Sequence, residues 1–354
     1  MPSAFARALA HLGWDANLEN LFAPHALRGA VPGRVVRVDR GSISVATPHG
    51  DARVPLAGRL RGDPPEGGVT AGDWVAVEAG LLTAVLPRRT VFLRKVAGDL
   101  SLAQAVAANI DVGLVVCPLG FGANLRRIER TLALVWASGA RPAVLLTKAD
   151  LSDDLDRDLD AAREVAGAVE VIAVSAVDAS GVDALRALLV PGVTAALIGP
   201  SGAGKSTLVN LVCDAEVLTT APVRDDGRGR HTTTHRELVA LPGGALVVDT
   251  PGMRELGMWD SAEGIEQGFA DVLALAEHCR FRDCAHQREP GCAVREAMCQ
   301  DASLRERVAS HRKLEREQLR IDARREGWAR AQRHRDIRSF SRALRSRPDK
   351  RTGW

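Results

Sequence analysis

The run Gly199-Pro200-Ser201-Gly202-Ala203-Gly204-Lys205-Ser206-Thr207 has the residue types and spacing of a loop that wraps a polyphosphate, G-x-x-x-x-G-K-[ST]. Glycines let the backbone turn several N–H groups inward, beside a helix N-terminus that favours negative charge. Lys205 can then reach the β- and γ-phosphates of a nucleotide, and the Ser206 hydroxyl can ligate Mg²⁺. Such a loop needs a strand before it and a helix after it. The apolar run Val193–Ile198 and the helix-like Thr207–Val212 supply both.

Three further segments belong to the same chemistry. Thr147-Lys148-Ala149-Asp150 fits [NT]-K-x-D, where the carboxylate accepts hydrogen bonds from N1 and N2 of guanine and the lysine stem lies along the base. Ser175-Ala176, after the next apolar run, fits the loop that supports the base O6. Downstream of Lys205 come Gly227–Thr234, with Thr232 and Thr233 as candidates for a second Mg²⁺ contact, and the D-x-P-G segment Asp249–Gly252. There Asp249 would reach Mg²⁺ through water, and the Gly252 N–H would sense the γ-phosphate. Blander readings exist: Asp150 could cap a helix, and Thr232–Thr234 could be a plain polar loop. Four motifs, each at the end of its own strand-like run, favour a single guanine-nucleotide site.

The order is unusual, because the base signature precedes the phosphate loop. This is a circular permutation of the common GTPase arrangement. From Gly252 the chain runs straight towards a cysteine-rich region, so movement of the D-x-P-G switch is expected to pass to a C-terminal module.

In that region Cys279-x₄-Cys284-x-His286-x₅-Cys292 offers three thiols and an imidazole. Soft thiolates with one histidine suit tetrahedral Zn²⁺, and four protein ligands leave no position open for catalysis, so a structural site is expected. Cys299 is a spare thiol with a possible substitute role as ligand, while Cys117 and Cys213 read as core. The six cysteines do not form a disulfide framework; they suggest a reducing compartment.

The elements that must position these residues fall into several units. The chain of 354 residues, 46% apolar and 26% charged, has room for two or three domains and the balance of a soluble globular protein. No apolar run reaches the length of a membrane span, and no secretory signal is expected at Met1–Trp14. Residues 1–31 read as an amphipathic lead-in. Residues 32–93 alternate with period two in five short runs broken by turns, which fits a small β-barrel, most simply an OB-fold. Trp74 could stack a base or fill the core, and Arg34, Arg37 and Arg40 could contact phosphate.

Residues 97–262 alternate strand and helix: Val112–Val116, Pro142–Leu146, Val169–Val174, Thr194–Ile198, Glu237–Leu241 and Ala245–Val248 as strands, with helices such as Asn124–Ser138 and Asp154–Ala166 between. This is an α/β P-loop domain with a largely parallel sheet. Residues 263–354 read as a mainly α, zinc-binding unit that ends in a charged helix, Ser303–Ser346. From Arg305 to Arg351 there are 17 Lys/Arg and 7 Asp/Glu, a net of +10, which leaves −7 on the rest of a chain whose total is +3. A basic end on an acidic body points to an anionic partner, nucleic acid first, or else to a solvated helix.

A barrel, a permuted GTPase and a cysteine cluster of this spacing together resemble the ribosome small-subunit-dependent GTPase family, RsgA or YjeQ, over roughly residues 32–300. The resemblance implies a bacterial cytoplasmic enzyme that hydrolyses GTP to GDP and phosphate. It also implies binding to the small ribosomal subunit and its rRNA, a role in late maturation, and hydrolysis stimulated by that subunit. A monomer is expected. Many GTPases place a glutamine after D-x-P-G, whereas this chain has Met253; His231 instead resembles the family's catalytic histidine. A neutral imidazole there could orient or deprotonate water, or His231 could be a loop residue that contacts RNA. Thr147 stands where many GTPases have Asn, as it does in the family. A competing reading is an RNA-binding assembly checkpoint that uses GTP as a switch with incidental hydrolysis. A P-loop ATPase or small-molecule kinase fits less well, since adenine offers no donor pair for Asp150.

Overall fold

The structure, a computed structural model, describes residues 3–39, 42–58, 60, 66–95, 103–120, 122–216, 237–249 and 261–345. The chain opens with α1 (Ala4–Leu9) and α2 (Ala16–Ala26), whose Asp15 cap accepts from the Leu18 N–H at 2.9 Å. Five strands follow: β1 (Val31–Asp39), β2 (Ser42–Thr47), β3 (Gly50–Val54), β4 (Trp74–Glu78) and β5 (Leu81–Val85). Antiparallel ladders join β1 to β2 and β4, β2 to β3, and β4 to β5, and an isolated parallel bridge pairs Leu56 with Leu82. Val35, Val45, Val75 and Leu82 fill the interior of this unit.

A hairpin, β6 (Val91–Lys95) with β7 (Ala103–Ala108), leads into the α/β unit. There β8 (Val112–Pro118), β9 (Arg141–Thr147), β10 (Val171–Val174), β11 (Thr194–Ile198), β12 (Glu237–Ala240) and β13 (Leu246–Asp249) lie in the order β10-β9-β8-β11-β13-β12. All neighbours are parallel except β12 and β13. The six strand-like runs of the sequence therefore form one sheet. The inner strands are buried on both faces, as their near-continuous apolar sequences require. Helices α3 (Leu125–Ala137), α4 (Leu155–Ala166), α5 (Val182–Leu188) and α6 (Lys205–Cys213) connect them, with Asn124 and Asp154 capping α3 and α4. Strand order reverses between β8 and β11, the place where sheets of this kind open a ligand crevice at their carboxyl ends.

The opening helices are not a loose arm. Leu9, Leu12, Trp14, Leu18 and Phe22 share one continuous core with Trp74, Phe92, Ile110 and Leu132. Arg34, only 2% exposed, lies inside the seam. Its guanidinium donates to the carbonyls of Leu12, Gly72 (3.4 Å) and Asn109 (3.0 Å) and sits 5.1 Å from the Trp74 ring centroid. Burial depresses its pKa to about 10. Arg34 is thus unavailable to phosphate, because its donors already satisfy buried carbonyls. Trp74, 1% exposed, is core. Arg37 pairs with Asp39 at 2.9 Å, and Arg40 lies outside the described residues.

Beyond Ser261 the chain forms α7 (Ala262–Gly268), α8 (Ala270–Ala276), a cysteine-rich loop, α9 (Ala293–Gln300) and α10 (Ala302–Arg345). This unit packs on α3 through Ile265, Phe269, Val272, Val308 and Leu314. Gly264 lets α7 approach so closely that a Cβ there would collide with the Ala133 carbonyl. Arg307 fastens the seam: it pairs with Asp271 at 2.6 and 2.8 Å, with Glu129 of α3 at 3.2 Å, and donates to the carbonyls of Val165 (3.0 Å) and Gly268 (2.7 Å). Burial opposes its charge, but the Asp271 contact more than offsets this and raises its pKa. Burial also opposes the Asp271 carboxylate, which Arg307 nonetheless holds below its ordinary range. For Glu129 burial wins, and its pKa is raised despite the guanidinium. The stabilising member of the pair set is therefore Asp271, while Glu129 is a buried charge that Arg307 makes tolerable. Arg130 adds a two-pronged pair to Glu317 of α10, at 2.5 and 2.8 Å. No helix among the described residues is long and apolar enough to cross a membrane.

Candidate functional site

The phosphate-loop residues 199–204 leave β11 and enter α6 at Lys205. Gly199 passes so close to β8 that a Cβ would sit 2.5 Å from the Val116 carbonyl. Gly204, at φ +82°, turns the chain into α6 through the left-handed region, where a side chain would be strained. The loop therefore lies at the carboxyl edge of the sheet beside the β8–β11 reversal. Lys205 folds back over it, and Nζ donates to the carbonyls of Gly199 (2.9 Å) and Pro200 (2.6 Å). Gly199, Pro200, Ser201 and Gly202 are half-buried, as is Ser206; Ala203 is buried, and Thr207 is exposed on the outer side of α6.

The base signature follows β9, two strands away. Thr147, 1% exposed, sends its hydroxyl to the Ala203 carbonyl at 2.7 Å, and its own carbonyl accepts from the Leu119 N–H at 2.9 Å. One side chain thereby links the base signature to the phosphate loop. Lys148 takes a left-handed backbone (φ +58°), which ends the strand and starts the short turn Ala149–Leu151. Ala149 is buried and Asp150 exposed at the crevice. The buried Ser175 hydroxyl donates to Asp150 Oδ1 at 2.7 Å and accepts from the Val177 N–H at 3.1 Å, while Ala176 is exposed. Thr147, Asp150, Ser175 and Ala203 thus come together. Asp249 ends β13, next to β11, on the same edge. His231, Thr232, Thr233 and Gly252 lie outside the described residues.

The second cluster stands apart in the C-terminal unit. One ligand atom each from Cys279, Cys284, His286 and Cys292 lies within 4.8 Å of the others. Cys279 Sγ is 3.4 Å from His286 Nδ1 and 3.8 Å from Cys292 Sγ, and Nδ1 is 3.4 Å from Cys292 Sγ. Donors that converge so tightly could hold a metal ion. Two supports escaped sequence reading. Glu289 accepts from the N–H groups of Ala285, Gln287 and Arg288, and backbone donors, including its own N–H, hold its pKa down at about 2. Arg312 of α10 donates to the carbonyls of Ala285 (3.0 Å) and His286 (2.7 Å), which steadies His286 in its left-handed backbone (φ +57°). The only sequence signal was a carboxylate inside a tight cysteine loop.

Fold and crevice define a P-loop α/β protein in which the T-K-x-D segment precedes the G-x-x-x-x-G-K-S loop. The chain belongs to the RsgA GTPase family. A profile of that family, described as RsgA GTPase, matches residues 85–259. A protein of Streptomyces coelicolor named small ribosomal subunit biogenesis GTPase RsgA is 47% identical over 92% of this chain and 90% of its own length. A protein of the same name from Opitutus terrae is 43% identical over 88% and 89%. Among solved structures, YjeQ from Thermotoga maritima aligns with a TM-score of 0.61 at 24% identity, over 82% of this chain and 99% of that one. YloQ, described as a circularly permuted GTPase, aligns with a TM-score of 0.57 at 21% identity, over 83% and 96%. These last two share the fold.

Proposed function

We propose that this chain is a GTPase of small-ribosomal-subunit biogenesis, which binds the small subunit and its rRNA, assists late maturation, and hydrolyses GTP to GDP and phosphate under stimulation by that subunit. The observation that carries the reading is the Thr147–Ala203 bond, which joins the base and phosphate ends of one crevice in a chain of this family. Asp150 would read guanine N1 and N2, with the Lys148 stem along the base and Ser175–Ala176 beside O6. Lys205 would leave the Gly199 and Pro200 carbonyls for the β- and γ-phosphates, trading two neutral acceptors for a charged one. Mg²⁺, when bound, neutralises charge developing on the phosphates; Ser206, a switch threonine (Thr232 or Thr233) and Asp249 are the residues to hold it. His231 is assigned the positioning or deprotonation of water.

The cysteine–histidine cluster is proposed as a structural Zn²⁺ site. A tetrahedron with Zn–S of about 2.3 Å and Zn–N of about 2.0–2.1 Å has S···S edges near ~3.8 Å and S···N edges near ~3.5 Å. The observed 3.8 and 3.4 Å fit both. The OB-fold reading of the barrel is supported by its pairing order and by the parallel Leu56–Leu82 bridge that brings the end of β3 to β5. Proposed unit borders are 1–31, 32–93, 97–262 and 263–354, with the β6–β7 hairpin straddling the second. A cytoplasmic monomer, and transmission of switch movement to residues 263–354, complete the proposal. Hydrogen exchange in 261–345 that is identical with GDP and with a non-hydrolysable GTP analogue would count against the transmission.

The deciding experiment is GTP turnover with and without purified small ribosomal subunits. Stimulation by subunits, lost in His231→Ala with nucleotide affinity retained, is the expected result. Unstimulated turnover would leave the checkpoint alternative, and absence of GTP binding would end the reading.

A further inference from the structure

The loop that carries the metal ligands also presents a surface that neither the nucleotide crevice nor the metal explains. Phe281, between Cys279 and Cys284, is 42% exposed, although a ring of this size ordinarily gains by burial. The Arg280 guanidinium stands 5.5 Å from its ring centroid. In the same cysteine-rich stretch and the first turn of α9, Arg282, Arg288 and Arg295 are also exposed, and no ion pair ties any of these four arginines to a carboxylate among the described residues. Of the acids in this stretch, Glu289 is occupied by backbone N–H groups, while the exposed Asp283 and Glu296 form no ion pair with these arginines among the described residues. Arg312 binds the loop to α10, where the exposed Lys313 and Arg316 lie within one turn of it, with Glu315 between them. The tight metal-ligand set and the Arg312 contacts hold the loop backbone in one shape, so the ring is presented at little entropic cost.

We propose that Phe281 is a stacking platform for an unpaired RNA base, with Arg280, Arg282 and Arg288 binding the flanking phosphates. An aromatic face accepts any base, and surrounding guanidinium groups supply backbone affinity without sequence reading. An acidic protein surface would use the arginines but has no need of a part-exposed ring with Arg280 on one side. The inference rests on the proposed ribonucleoprotein partner and names the part of the chain that reads it.

The test titrates the full-length protein with a fluorescent single-stranded RNA 12-mer, the same sequence as a duplex, and oligo-glutamate. Variants are Phe281→Ala, Phe281→Leu, Phe281→Trp and the triple Arg280→Ala/Arg282→Ala/Arg288→Ala, each checked for metal content. Single strands are expected to bind more tightly than duplex. Phe281→Ala and Phe281→Leu should weaken them on the order of 5- to 150-fold. Phe281→Trp should retain affinity and show fluorescence quenching on binding, and the triple variant should flatten the salt dependence. Native single-strand affinity in a metal-loaded Phe281→Leu protein overturns the proposal. So does equal binding of duplex, or competition by oligo-glutamate at matched charge. Failure of small subunits to stimulate turnover overturns the proposed function instead, and the RNA titration is read independently of it.

Discussion

The hydroxyl of Thr147 and the carbonyl of Ala203, 56 residues apart in the chain, share a 2.7 Å hydrogen bond in a buried setting. The loop proposed to contact phosphate is thereby held in register with the segment proposed to contact the base. Replacing Thr147 with Val keeps the shape and strands the Ala203 carbonyl. A loss of about 1–3 kcal/mol is expected in denaturant unfolding, with faster nucleotide release, while Thr147→Ser retains most of both. Unaltered release kinetics in the valine variant would mean that the bond does not couple the two loops.

Asp150 accepts the Ser175 hydroxyl at 2.7 Å, and an asparagine there would still offer its carbonyl oxygen to that donor. Asp150→Asn should therefore leave the loop folded while reversing its hydrogen-bond preference at the base. GTP affinity is expected to fall roughly 10- to 150-fold, the worth of one charged hydrogen bond, and XTP to compete better than GTP. Competition titrations with GTP, XTP and ATP measure it. Unchanged preference would remove Asp150 from base recognition.

Arg307→Met tests the seam between α10 and α3. Removing the cation leaves the buried Glu129 with the Ser310 hydroxyl but no counter-charge, and a loss of about 3–5 kcal/mol is expected. The pH dependence has a definite sign. Asp271, depressed in the folded chain, contributes stability above its ordinary value of 3.8, and this is lost as pH falls through its folded pKa. Glu129, raised above its ordinary 4.5, protonates first and then needs no cation. Glu129 makes the deficit of the variant largest near neutral pH and smaller on acidification towards pH 4, and the Asp271 part is lost only below 3.8. Thermal melts of native chain and variant from pH 7 to pH 4 measure it, and a deficit constant across that range contradicts the assignment.

Cys284→Ser should remove one of four converging donors and abolish stoichiometric metal binding. Because Arg312 joins the loop to α10, loss of the ion should also loosen the start of that helix. Elemental analysis gives the first readout and hydrogen exchange across 279–320 the second. A variant that keeps one ion per chain would place the metal elsewhere.

What could be read beforehand depended on whether local sequence and burial agreed. The apolar runs of β8, β9 and β11 are legible because strands covered on both faces tolerate little else. The converging cysteine–histidine set is legible from spacing alone. β7 is not: Ala103–Ala108 is alanine-rich and favours helix locally, yet Ala105, Val106, Ala107 and Ala108 are fully buried in the hairpin, where tertiary packing overrides that preference. Arg34 misleads for a related reason. Alternation assigns one face of β1 to solvent, but at the seam both faces are covered, and Gly33, Arg34 and Val35 are buried in succession. The fold-back of Lys205 and the Thr147 contact to Ala203 depend on loop shape that no spacing encodes.

The grip of Arg34 on carbonyls from Leu12, Gly72 and Asn109 has a practical side. Amputating the opening helices would strip a buried cation of an acceptor and bare the Trp14 and Trp74 rings, which meet edge-on at 5.0 Å. The unit of β1–β5 is thus not a detachable cassette. Exchanging it between relatives would require transplanting the helices that precede it and the residues at 109–111 that receive it.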